Sequence, residues 1–202
     1  MKIIKKLIFI ILFKFIKEKK LNHYYGIDIW KEGHNILKDF LVKGMAIYYE
    51  IVGYLGDGKQ IQKGYDYKCK QGEFKIYIYR ITTVNEDGNI FEFSYDQVQQ
   101  WCKERGLQPV IELYKGTIRN LYENHFKVEI TEDWRDNFIE LLREHFKIEE
   151  NCPYNNAKVP TEGIVLRKNS LAIEVMKLKS FNFYSYETKM LDKNEENIED
   201  NQ

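Results

Sequence analysis

The chain has no net charge: Lys and Arg together number 31, and so do Asp and Glu. A strongly basic or acidic total would itself argue for a partner of opposite sign. This balance removes that argument and leaves room only for a local basic surface. Cysteine is scarce. Cys69, Cys102 and Cys152 are irregularly spaced, and no Cys-x-x-Cys pair exists, which argues against a zinc site. An odd cysteine count without a clean signal peptide fits a reducing compartment, so a cytoplasmic location is expected. The four histidines, His23, His34, His125 and His145, show no His-x-x-x-His spacing and read as surface or helix residues. The uninterrupted apolar run Leu7–Phe13 falls far short of the roughly 20 residues that a spanning helix needs. Integral membrane association is therefore not expected, and no internal repeat is visible.

What is present is an ordinary globular composition with many aromatics. Apolar residues make up 44% of 202 and charged residues 31%, enough for one domain with a real core. The 15 tyrosines and 12 phenylalanines suit half-buried strands more than stacking platforms.

The opening stretch MKIIKKLIFIILFKFIKEKK imitates a signal peptide, basic and then apolar. No small-residue cleavage site follows it. An interfacial helix is one alternative. The preferred reading sets residues 1–20 outside the fold, as the product of a truncated or frame-shifted gene start. Residues 21–191 then form the domain, and 192–202 an acidic disordered tail.

Within the domain, helical spacing marks 24–40. Strand patterns mark 45–54 and 74–84, with a Gly-rich polar loop between them. The turn NEDGN leads to a short strand, IFEFS, completing a hairpin. Ser94 is a natural N-cap for a helix ended by Gly106. Residues 131–147 read as a second amphipathic helix. After the loop 151–160 come two strands, TEGIVLRK and SLAIEVMKLK. The architecture is α+β, with mostly antiparallel sheets flanked by helices.

Three strands carry polar groups where apolar ones are expected, a pattern that favours functional positions. Alternation puts Glu162 on the side of Ile164 and Leu166, where a carboxylate is costly unless paired or metal-bound. Gly163 beside it admits a close neighbour. The plain alternative is a hairpin Glu in water. In the next strand Ile173, Val175, Lys177 and Lys179 share a face that ends in two ammonium groups. A phosphate between them would relieve their repulsion. The alternative is a strand running out into solvent. Glu50 interrupts the apolar strand AIYYEIVGY and needs donors, which a ribose, a metal-bound water or a neighbouring Tyr or Lys would supply.

Taken in order, the segments YYEIVG, IYIYRI, EGIVLR and MKLK resemble those of the covalent nucleotidyltransferases, most nearly the phage-type ATP-dependent RNA ligases. There a Y/F-G-E segment, an aromatic strand, an E-G-x-V-x-(K/R) strand and a K-x-K strand follow one another. The resemblance runs from about residue 24 to 191. It implies an adenylation-domain fold lacking part of its N-terminal strands, with ATP, Mg2+ (or Mn2+) and RNA ends as ligands. It implies that Glu50 contacts the ribose or a metal-bound water, and that Tyr79, with Tyr77 on the same face, stacks on adenine. Glu162 would bind the divalent cation. Lys177 and Lys179 would hold the α-phosphate and orient pyrophosphate, with Arg167 a further phosphate or RNA contact.

The reaction implied joins an RNA 5′-phosphate to a 3′-hydroxyl through enzyme-AMP and RNA-adenylate intermediates, in RNA repair. The family's nucleophilic lysine lies in Lys-x-(Asp/His/Asn)-Gly, upstream of Y-G-E. No such tetrapeptide occurs here; the nearest imitation is Leu55-Gly56-Asp57-Gly58. Tyr49 stands where the family has Gly. Alone, the chain is expected to be inactive or incomplete. It would need a complementing N-terminal fragment as part of a split ligase, or be a truncated nucleotide- or RNA-binding remnant.

Overall fold

Two apolar runs of strand period, parted by a Gly-rich loop, pair with each other along their whole length. β2 (Met45–Gly53) and β3 (Phe74–Val84) are antiparallel, from Met45 opposite Thr83 to Gly53 opposite Phe74. The computed structural model describes residues 6–11 and 29–192, so the rest of 1–28 and the acidic tail from 193 lie outside the described residues.

The turn Asn85–Asn89 closes through its own backbone, and the Asn85 side chain accepts from the Asn89 amide at 2.8 Å. β4 is shorter than the sequence suggests, only Ile90–Glu92. The chain leaves the ladder because Ser94 caps α2 (Tyr95–Glu104). Its hydroxyl accepts from the Gln97 amide at 3.3 Å, and the Gln97 side chain accepts from the Ser94 amide at 2.8 Å. This reciprocal pair satisfies two otherwise orphaned donors. Ser94→Ala is expected to cost about 1 kcal/mol, read as a fall of roughly 2–4 °C in Tm. An unchanged melting curve would show the cap to be idle.

One face of the β2–β3–β4 sheet is the main core. Ile51, Ile76, Ile78 and Ile81 are buried with Leu37 of α1 (Ile29–Leu37) and with Val98, Trp101 and Cys102 of α2. α1 is shorter than the 24–40 expected; residues 24–28 lie outside the described residues, and a single tighter turn, Lys38–Phe40, continues it. Cys69, Cys102 and Cys152 are buried free thiols. Burial pushes the Cys102 thiol up to about 11.

The second sheet has four antiparallel strands in the order β5-β1-β6-β7. These are β1 (Lys6–Ile11), β5 (Glu112–Thr117), β6 (Gly163–Lys168) and β7 (Val175–Lys179). The sequence reading sets residues 1–20 outside the fold, yet β1 is an inner strand here, paired on one side with β5 and on the other with β6. A short apolar run fits a helix, a stray segment or an inner strand equally well by pattern alone. Ile164, Leu166 and Leu178 face a second core built with Leu121, Leu142 and Ile148.

After the single helical turn α3 (Ile118–Asn120), the helix expected over 131–147 is reduced to α4 (Phe138–His145). The preceding turn stays open because the buried Tyr122 hydroxyl donates to the Trp134 carbonyl. The Phe138 amide, which a continuous helix would send to that carbonyl, donates to Arg135 instead, at 3.4 Å. β5, a wide turn at Leu121–Phe126, and α5 (Phe181–Asp192) complete the fold.

Candidate functional site

β2 and β3 slip by one residue where Tyr48 pairs with Arg80 and Tyr49 with Ile78. Tyr79 is the extra residue of this bulge, a device that re-aims a side chain. The slip lets Ile76, Ile78 and Ile81 all reach the core, while Tyr79 stays half-buried. On the other face lie Glu50 and, one pair further along, Tyr48 opposite Arg80. Tyr49 turns away from them and packs on α1, 6.4 Å from the Trp30 ring and against Gly33. Its bulk therefore does not crowd Glu50.

Arg167 of β6 joins the two sheets. It is 2% exposed, and its guanidinium donates to the carbonyls of Tyr79 and Phe93, both at 2.7 Å. Burial holds its pKa below the ordinary arginine range. Sequence reasoning offers this residue as a phosphate or RNA contact; the structure commits it to backbone. Next to it in the sheet, Val165 pairs with Lys177 of β7, which places Lys177 and Lys179 on one face of an edge strand.

Glu162 breaks the alternation expected of it. Gly163 adopts φ +144°, so the residue before it does not continue the Ile164 and Leu166 face. Instead the Gln62 side-chain amide donates to the buried Glu162 carboxylate, and the Gln62 oxygen accepts from the Tyr67 hydroxyl at 2.8 Å. The close neighbour that Gly163 admits is β7 itself: a Cβ here would lie 2.1 Å from the Leu178 carbonyl oxygen.

These segments meet electrostatically. Lys177 stands exposed on β7, yet desolvation by the surrounding protein lowers the pKa of its ammonium; Glu50 opposes that shift, Lys179 adds to it, and Glu162 opposes it. Burial and then Glu50 raise the Tyr79 phenol. Burial and then Glu162 raise the Tyr65 phenol. Lys179 reaches further back, 3.7 Å from Glu187 and over the Phe183 and Tyr184 rings of α5. Of the six residues singled out from sequence, Glu50, Tyr79, Glu162 and Lys177 are thus brought into one field. Lys179 stands at its α5 side, and Arg167 lies beneath it.

Among the described residues no group of three His, Cys, Asp or Glu is placed to hold a metal ion unaided. Mg2+ and Mn2+ ask for fewer protein ligands than that. Such ions are commonly held by one or two carboxylates, with phosphate oxygens and water completing the shell. Gln62 and Tyr67, which hold Glu162, are not legible in the sequence. Both lie in the loop 55–73, and nothing in that loop's pattern marks a partner 100 residues away in sequence.

No family model matches the chain, and no curated protein matches it. Two solved structures, both described as an archaeal ATP-dependent RNA ligase in forms 1 and 2, are similar with TM-scores of 0.47 and 0.45. Identity is 12% and 10%, over 92% of this chain. The chain spans 43% of the length of either.

Proposed function

We propose that the junction of the two sheets binds ATP, and that the chain is the nucleotide-binding core of an RNA ligase that joins 5′-phosphate to 3′-hydroxyl ends. The observation that carries this reading is that β6 links the separated segments: its Arg167 donates to the Tyr79 carbonyl of β3, and its Val165 pairs with Lys177 of β7. Glu50 and Glu162 both counter the fall in the Lys177 pKa, in keeping with that placement. In this reading Lys177 and Lys179 neutralise the phosphates of the nucleotide, positioning and charge stabilisation being most of what phosphoryl-type transfer asks of a protein. Tyr79 offers its ring to adenine. Glu50 accepts from a ribose hydroxyl. Glu162, held by Gln62, would bind Mg2+ or Mn2+, which when bound neutralises charge developing on the phosphates. Arg167 has no place among the ligands; it fixes Tyr79 through the Tyr79 carbonyl.

A second reading is favoured by one fact, that no Lys-x-(Asp/His/Asn)-Gly occurs in the sequence. On that reading the chain binds nucleotide or RNA and forms no covalent adduct. Incubation with ATP labelled at the α-phosphate, plus magnesium, separates the two. A labelled chain supports the ligase reading, and binding without label supports the second. Lys177→Ala is expected to weaken binding of a fluorescent ATP analogue roughly tenfold or more, the scale of a lost charge-assisted hydrogen bond. Unchanged affinity in a folded variant would sink both readings.

A further inference from the structure

The face of β2 and β3 that carries Glu50 does not end at Tyr79. Tyr48 and Arg80, directly opposite each other across the strands, form the next row. The Tyr48 ring lies 6.2 Å from the Tyr79 ring, tilted by 50°. The Arg80 guanidinium sits over Tyr48, 4.5 Å from the ring centre. Arg80 is itself fixed. Its Nε donates to both carboxylate oxygens of Glu92 at 3.0 Å, and a further guanidinium nitrogen donates to the same carboxylate. Glu92 is well covered, its side chain 9% exposed against 26% for Arg80.

The bulge at Tyr79 is what brings these groups into line. Without the extra residue, Arg80 would fall on the core face with Ile78. With it, Ile81 takes the core position, and Arg80 joins Tyr48 on the outer face. The result is a run of flat groups, Tyr79, Tyr48 and Arg80, leading away from the two-sheet junction. Flat aromatic and guanidinium surfaces next to a cationic phosphate site are the chemistry by which single-stranded nucleic acid is held without regard to sequence. Glu92 neutralises Arg80, so the row offers stacking surface more than net charge.

We infer that Tyr48, backed by Arg80, is a stacking station for an unpaired base of the RNA strand whose end is presented to the nucleotide site. The inference rests on the ligase reading for the identity of the strand; Tyr48 borders Tyr79 and is itself none of the proposed ATP contacts. It assigns Tyr48 to RNA and not to ATP.

The test uses the full chain and two probes: a 5′-phosphorylated, fluorescein-labelled single-stranded RNA 12-mer followed by anisotropy, and a fluorescent ATP analogue. Tyr48→Ala is expected to weaken RNA binding roughly tenfold or more, the range measured for a lost base–aromatic stack. Affinity for the ATP analogue should stay within about twofold, and Tyr48→Phe should retain RNA binding because the ring is kept. Circular dichroism confirms that each variant is folded; should Tyr48→Ala not fold, Tyr48→Leu, which keeps apolar bulk and removes the ring, carries the comparison. Unchanged RNA binding in a folded variant overturns the inference, as does an equal loss for both probes, which would make Tyr48 a support of the nucleotide pocket. Wild-type chain that binds the ATP analogue and no RNA overturns it while leaving the ligase site standing. RNA binding lost in Tyr48→Ala, with no ATP binding in any form, supports the stacking station and sinks the ATP reading.

Discussion

Gly163→Ala is expected to destabilise the chain by about 3 kcal/mol or more and to abolish nucleotide binding with it. Two costs add. At φ +144° an L-residue occupies a region essentially reserved for glycine, a strain of roughly 1–3 kcal/mol. The added methyl would also stand 2.1 Å from the Leu178 carbonyl oxygen and 2.9 Å from the Lys179 Cα. Both are backbone atoms and cannot rotate away, so β7 must move. β7 is an edge strand whose strand partner among the described residues is β6, and it carries Lys177 and Lys179. Any shift therefore separates those ammonium groups from Glu162, whose own direction depends on the same backbone turn. Urea unfolding reads the first effect and titration with a fluorescent ATP analogue the second. A variant that unfolds like wild type would show that the hairpin tolerates a Cβ and that Glu162 is not aimed by this glycine.

That glycine also marks where the sequence stops being readable. Alternation finds β2, β3, β6 and β7, because a strand's side chains point by turns to its two faces. It also singles out Glu50, Glu162, Lys177 and Lys179 as misfits on their faces. It misplaces Glu162, since one positive φ ends the alternation and no residue pattern records its value. The resemblance, not the alternation, offers Arg167 as a phosphate or RNA contact, and no strand pattern records the two carbonyls that receive its guanidinium. Its partners, Tyr79 and Phe93, lie 88 and 74 residues away. The bulge at Tyr79 is invisible for the same reason: it is a relation between two strands and not a property of either. α5 depends on such a relation too. Its first amides and the Ser180 hydroxyl are received by Glu149, more than thirty residues earlier, beside the local N-cap in which the Ser180 oxygen accepts from the Phe183 amide at 3.1 Å. β1 was passed over because a short apolar run has no period to read.

Arg167→Leu is expected to be among the most damaging exchanges in the interior, costing about 2–6 kcal/mol for two stranded acceptors. The arginine reaches from β6 to the Tyr79 carbonyl of β3 and to the Phe93 carbonyl just past β4, at 2.7 Å each. Leucine leaves the Tyr79 and Phe93 carbonyls facing an apolar group. A buried acceptor stripped of its donor costs roughly 1–3 kcal/mol, and here there are two. Both lie at irregular points of the chain, the bulge on β3 and the exit from β4, where no strand partner takes over. Arg167→Lys should recover little, because one ammonium on a flexible stem does not reproduce two donors in a fixed fork. This separates a joint between sheets from a ligand contact. A phosphate-binding arginine replaced by lysine would keep its melting temperature and lose part of its affinity for ATP. A structural one loses melting temperature first, and affinity falls because Tyr79 is no longer held. Thermal melts of both variants, set beside their affinity for an ATP analogue, decide between the two. If Arg167→Lys melts with wild type and binds ATP poorly, the guanidinium belongs to the ligand site after all, and the joint between the sheets must be sought elsewhere.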